Sequence, residues 1–335
     1  MIFNHPRMIT IRRISLKNRA MFTAILGLSA ITLLSSTQES TQAAMTQQKP
    51  KLASQGSLHW VLEKGSRPQE VSTLAMHQGT LYAGTYQANN GVWVYQHHQW
   101  QRIYPSPGQV YALASYSGQF NVGTQAKSAG VWRKAQTSWV AVGHALPNID
   151  ALIAKDHVLY AGTYGNGPAV WAYQRGAWQA MTGAPSEVTS LLSVGNLLYA
   201  GSQMANAQQG GVWYERSGVW HVAKGSPKNV SVLTAFAGHL FAGTQSGQTG
   251  GNNVWVFQRY RWVRMVPSPN NVTSFVTVRG VLYASTESAS DSVWRYQHGV
   301  WTPMLNSPGN VTSLLYSKHT LFAGTVDGVY QAKLS

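Results

Sequence analysis

The sequence predicts an all-β protein, a seven-bladed β-propeller of four-stranded antiparallel blades. Three observations carry this. A strand-sized text recurs, opening at Val71, Val110, Ile149, Val188, Val230, Val272 and Val311 at intervals of 39, 39, 39, 42, 42 and 39 residues. A period near 40 built of short apolar runs and turn residues is the signature of propeller blades. The text missing from the last copy stands ahead of the first one, so the ring can close.

Each copy holds four pieces. The first is a run such as Val188–Leu192, and the second is a run such as Leu198–Ser202. Both are apolar or small on either face, as a sheet packed between two other sheets requires. Gly84 and its equivalents lie in the second piece, where a bare backbone lets the neighbouring blade approach. The third and fourth pieces form a tight hairpin. It carries two tryptophans seven residues apart in six copies: Trp93/Trp100, Trp132/Trp139, Trp171/Trp178, Trp213/Trp220, Trp255/Trp262 and Trp294/Trp301. That spacing places the two indoles near one another across the hairpin, where aromatic pairs stabilise a sheet. The seventh copy stops at Gly328-Val329-Tyr330. Ser57–Leu62, with Trp60, supplies the missing fourth strand, and the ring closes with no open edge.

Ahead of the ring lies a different kind of text. Residues 1–20 carry five basic residues and no acid, and an apolar run, Met21–Leu34, follows. It is the length of a signal-peptide core and short for a membrane span. We read residues 1–43 as a signal peptide cleaved near Ala43, or as an uncleaved anchor of the same topology. Arg12-Arg13-Ile14-Ser15-Leu16-Lys17 partly matches a twin-arginine export motif, so either a general secretory or a twin-arginine route is open. Residues 44–54 form a flexible lead, and residues 55–335 form the propeller. A secreted or envelope location follows, with membrane contact only through the N-terminal segment if it stays uncleaved.

Composition narrows the chemistry. There is no cysteine, which excludes disulfides and thiolate chemistry. Outside residues 1–43 the chain keeps 20 basic and nine acidic residues, so the leader does not explain the basic character. A basic surface draws anionic partners such as wall polymers. The lysines and arginines form no cluster in the sequence, and nucleic acid is not the expected partner. A low carboxylate content also leaves few charges to lose in acid. His97-His98 is the only adjacent histidine pair and falls in a hairpin turn, so no metal is expected. No nucleophile elbow, phosphate loop or dinucleotide fingerprint is present, and no cofactor is expected. Asn229-Val230-Ser231, Asn271-Val272-Thr273 and Asn310-Val311-Thr312 match glycosylation acceptors, but they recur with the repeat and read as turn chemistry.

Blade topology fixes where binding belongs. Loops from the second strand to the third share one face with the blade-to-blade loops. The latter are rigid proline turns such as Ser106-Pro107 and Ser226-Pro227. The former are long, polar and variable in length, as binding loops are. On the same face stands the residue after each opening Val or Ile: Ser72, Tyr111, Asp150, Thr189, Ser231, Thr273 and Thr312. Small hydroxyls dominate, so Tyr111 and Asp150 depart from the pattern. The candidate ligand-contacting residues are Asp150, Tyr111, Tyr86, Tyr164, Glu287 and Asp291.

The text Leu-Tyr-Ala-Gly-Thr, Gly-Val-Trp and Gly-x-Trp resembles the blades of sialidase-like and photosystem-assembly-factor-like propellers, and more distantly quinoprotein repeats. That resemblance spans residues 55–335. It implies the propeller fold and, for the sialidase-like branch, glycan hydrolysis. The hairpins Tyr173–Trp178 and Tyr296–Trp301 lack the aspartate of the sialidase hairpin motif, and no nucleophile pair can be carried over. Two readings stand. One is a non-catalytic, monomeric propeller binding a protein, a glycan or an anionic envelope polymer. The other is a glycan hydrolase or lyase using Asp150 and a second acid.

Overall fold

The computed structural model describes residues 58–65, 67–86, 91–125, 130–146, 148–165, 168–203, 211–245 and 253–334. The expected leader, the flexible lead and most of the variable loops lie outside these residues. The described residues form seven four-stranded antiparallel sheets with strands in consecutive order. Blade 1 runs Val71–His77, Thr80–Thr85, Gly91–Gln96 and Gln99–Arg102. Each later blade repeats this plan. The first strand of every blade packs against the first strands of both neighbours, which closes the ring.

The closing blade is composite. Val61–Leu62 pairs antiparallel with the strand Val329–Lys333, with Val61 opposite Gln331 and Leu62 opposite Tyr330. Glu63 and Arg67 continue the seam by donating to the carbonyls of Val329 and Asp327. Trp60 packs beside Tyr330 in that blade's core. The expected closure by the N-terminal strand is therefore present.

Two local rules hold blade to blade. All seven opening residues, from Val71 to Val311, are fully buried. Six of them press on the second-strand glycine of the preceding blade: a Cβ on Gly84 would stand 2.4 Å from Val110 Cγ1, and one on Gly123 would stand 2.4 Å from Ile149 Cγ2. The serines of the Ser-Pro turns also have a structural task. Ser106, Ser226, Ser268 and Ser307 hydroxyls accept from the backbone N–H of Val92, Val212, Val254 and Val293 at 2.7–3.3 Å. Each turn is thereby tied to the start of its own third strand.

The two tryptophans of a hairpin share one core cluster, as in Trp93/Trp100 and Trp171/Trp178, and the register sets them diagonally. Trp93 stands opposite Arg102, and Trp100 opposite Tyr95. The second tryptophan thus packs on the aromatic two residues after the first one, with ring centroids 5.2 Å apart in Tyr95–Trp100 and 5.1 Å apart in Tyr173–Trp178 and Tyr296–Trp301. A seven-residue spacing with a two-residue turn places i opposite i+9, which leaves the indoles diagonal. The second tryptophans fill the inter-blade core: Trp178 joins Val131, Val142 and Leu146 of the preceding blade.

Candidate functional site

In every blade the pairing of the first two strands slips just after the opening residue, between Val71 and Thr73 in blade 1 and at the same place in the other six. The skipped residue is therefore a β-bulge, the device that re-aims a side chain out of the ladder. In five blades it is Ser72, Thr189, Ser231, Thr273 or Thr312. Each hydroxyl donates to the carbonyl of the next blade's opening valine: Val110, Val230, Val272, Val311 and Val71. The bulge hydroxyl is thus a latch between blades. Blades 2 and 3 place Tyr111 and Asp150 there instead.

Tyr111 and Asp150 are both turned to the rim. The Tyr111 ring packs against Tyr86 with centroids 5.8 Å apart. Tyr86 is buried and backs the more exposed Tyr111. Asp150 keeps part of its surface exposed, and its Oδ1 accepts a 2.6 Å hydrogen bond from Gln125 Nε2. Burial raises its pKa to about 6, Glu187 adds repulsion in the same direction, and the Gln125 bond opposes both. Burial also pushes the Glu187 carboxyl up.

The residue directly after each second strand forms the next tier. It is Tyr86, Gln125, Tyr164, Gln203, Gln245, Glu287 and Val326 in blades 1 to 7. In blades 1 to 5 its backbone N–H donates to the carbonyl of the residue before the opening Val or Ile, as in Tyr164 to Asn148 at 2.9 Å and Gln245 to Asn229 at 3.0 Å. Side chains link the tier around the rim. Gln203 Nε2 donates to Gln245 Oε1 at 2.9 Å, and Gln245 Nε2 reaches Glu287 Oε1 at 3.5 Å. Tyr164 is 43% exposed. Of the six candidates, Tyr86, Tyr111, Asp150, Tyr164 and Glu287 belong to this bulge-and-rim system.

Asp291 does not. Its Oδ1 accepts from the backbone N–H of Asn306 at 2.7 Å, and its own N–H donates to the Ser307 carbonyl. It secures the Ser307-Pro308 turn of its own blade.

Two rim residues escaped the sequence reading. The position before the opening valine is left-handed in six blades, with φ between 45° and 53°. Four of these six are asparagine, which tolerates that conformation; the other two are Glu70 and Glu187. Both glutamates occupy a strained backbone where the repeat otherwise uses asparagine. Glu187 acts on Asp150, while Glu70 and Glu287, after burial, raise the Tyr86 pKa. Four of the nine acids outside residues 1–43, namely Glu70, Asp150, Glu187 and Glu287, thus gather on one rim of a basic protein. Such a rim offers carboxylate and amide acceptors beside aromatic rings, a composition suited to hydroxyl-rich or cationic groups. Among the described residues no group of histidines and acids could hold a metal ion.

No family model and no curated protein matches this sequence. Solved structures show the fold. The extracellular domain of a protein described as a hybrid two component system from B. thetaiotaomicron aligns at TM-score 0.67 and 13% identity, over 82% of this chain and 40% of that one. This chain therefore spans under half the length of that neighbour. The WD40 β-propeller domain of Doa1 aligns at TM-score 0.63 and 12% identity, over 82% and 96% of the two chains. A catalytically inactive virginiamycin B lyase from Staphylococcus aureus, solved with quinupristin, aligns at TM-score 0.63 and 13% identity, over 83% and 100%. The class is thus the seven-bladed β-propeller.

Proposed function

We propose that this chain is an exported, non-catalytic propeller that binds a protein or glycan partner at its bulge-and-rim face. One observation carries the reading: blades 2 and 3 place Tyr111 and Asp150 at the bulge position where the other five blades carry the latching hydroxyl. A residue that departs from a stabilising repeat on the variable-loop face marks binding. The extracellular domains among the structural neighbours support an extracytoplasmic setting. The four rim carboxylates favour a neutral or cationic ligand there and disfavour an anionic polymer. A glycan array with the purified chain tests this. The expected result is a discrete hit lost in both Tyr111→Thr and Asp150→Asn, with thermal stability kept. Hits unaffected by either change would overturn it.

A second reading has its own support. Asp150, with a pKa of about 6, is suited to act as a general acid, and Glu187 supplies the second carboxyl a glycan hydrolase or lyase requires. The sialidase-like resemblance of the repeat text points the same way. Turnover of a glycan, abolished by Asp150→Ala, would establish this reading over the first.

A further inference from the structure

Basic charge gathers on the face opposite the rim. There lie the turns between first and second strands and the hairpin turns between third and fourth strands. Exposed cations stand at or beside these turns: Arg175, Arg216, Arg259, Arg261, Arg279 and Lys318. The two acids of this face are already engaged. Asp156 pairs with Lys155, and a Glu215 carboxylate oxygen accepts from the backbone N–H of Gly218. Among the described residues Arg175, Arg216, Arg259 and Arg261 have no ion-pair partner. The sequence showed no cluster because the repeat spaces these residues some 40 apart, and the ring assembles them.

Blade 5 carries a second departure on this face. Its hairpin tip is Arg259-Tyr260, with φ of 48° and 64°. Three other blades place glycine at the second tip position: Gly176, Gly218 and Gly299, with φ of 83–84°. Blade 1 carries His97-His98 at these positions with φ of 50° and 62°, so the left-handed backbone belongs to the turn, and what sets blade 5 apart is the large aromatic ring placed on it. Tyr260 is 97% exposed, so no packing explains its presence. Arginines flank it on both sides. Beside this hairpin, a groove of about 440 Å³ follows the seam between blades 5 and 6. Gln258, His239, Arg264 and Tyr296 are among the residues that line it.

We infer that this turn face, centred on Arg259-Tyr260-Arg261 and the adjoining groove, binds an anionic polysaccharide. Guanidinium groups match carboxylates in geometry and charge. An exposed aromatic ring offers an apolar face to a sugar ring. The groove gives an extended chain a path between blades. This site is independent of the rim and takes ligands of the opposite charge.

The test measures retention of the purified chain on immobilised polygalacturonate, with neutral dextran and anionic phosphatidylglycerol vesicles as comparators. The expected result is polygalacturonate binding that weakens with added salt, and no binding to dextran. Tyr260→Gly should lower the affinity about ten-fold. Its melting temperature should hold or rise, since glycine suits the turn. Arg259→Gln with Arg261→Gln should lower the affinity about ten-fold or more. No retention, or variants that bind as the parent does, would overturn the proposal. So would retention on vesicles without retention on the polymer, which would mark a lipid surface as the partner.

Discussion

Thr189 Oγ1 donates to the Val230 carbonyl at 2.8 Å and fastens blade 4 to blade 5. Thr189→Val keeps the shape and removes the donor, leaving a carbonyl without its partner. The expected cost is about 1–2 kcal/mol in urea unfolding, with Thr189→Ser restoring most of it. Asp150→Thr installs the same group where it is missing. We expect a small gain, about 1 kcal/mol, together with loss of rim binding. A destabilised Asp150→Thr would mean that blade 3 is held in another way.

Asp150 also sets a pH dependence. Its folded pKa of about 6 lies above the ordinary 3.8, so the folded state holds the proton more tightly. The stability it contributes is full below about pH 4 and is lost as pH rises through 6. Unfolding at a series of pH values should show a fall on the order of 1–3 kcal/mol across that window. Asp150→Asn should flatten it, since the amide oxygen still accepts from Gln125. An unchanged slope in Asp150→Asn would assign the pH dependence to other groups.

The second-strand glycines predict a steric cost. A Cβ on Gly84 meets Val110 Cγ1 at 2.4 Å and Thr73 Cγ2 at 2.8 Å. Gly84→Ala should lose about 1–3 kcal/mol, read as a fall in melting temperature. Blade 6 carries Ser285 at this place, fully buried, with its hydroxyl 2.8 Å from Thr273 Oγ1. One seam has therefore accommodated a side chain, and the cost at Gly84 should stay at the modest end.

The two classes of tryptophan separate cleanly. Trp178 Nε1 donates to the Val142 carbonyl at 2.7 Å, whereas Trp100 Nε1 is buried with no partner among the described residues. Trp178→Phe should cost about 1–2 kcal/mol more than Trp100→Phe in paired denaturation curves. Alanine at either site should cost about 3–5 kcal/mol.

Much of this fold was legible because its period is written in aromatic and glycine positions that survive from blade to blade. Closure by Trp60 and its neighbours was legible as text missing from one end and present at the other. The nearness of the two tryptophans was legible from their spacing; that they stand diagonal rather than directly opposite was not, because register depends on the two-residue turn. Tyr111 and Asp150 stood out as exceptions in a column of hydroxyls. What that column does, latching blades across a bulge, needed coordinates. Glu70 and Glu187 were missed because an acid before a valine looks ordinary. Set against Asn148, Asn229, Asn271 and Asn310 in the same column, they carry a signal that an alignment of the repeats could have exposed. Asp291's bonds to Asn306 and Ser307 could not be read from loop membership, which says nothing about which way a carboxylate turns.

The composite last blade has a consequence for how the chain folds in time. Val61 and Gln331, its closing partners, stand at opposite ends of the ring-forming sequence. No earlier seam can substitute for this one, so the ring stays open until the final strand is available to pair. Loop closure over such a distance is slow relative to forming any single blade. Blades 1 and 6, the two that border the seventh, each keep one side open until it forms. A chain whose residue 334 were joined to residue 58 and reopened between two other blades would move that waiting point without altering one contact of the finished ring.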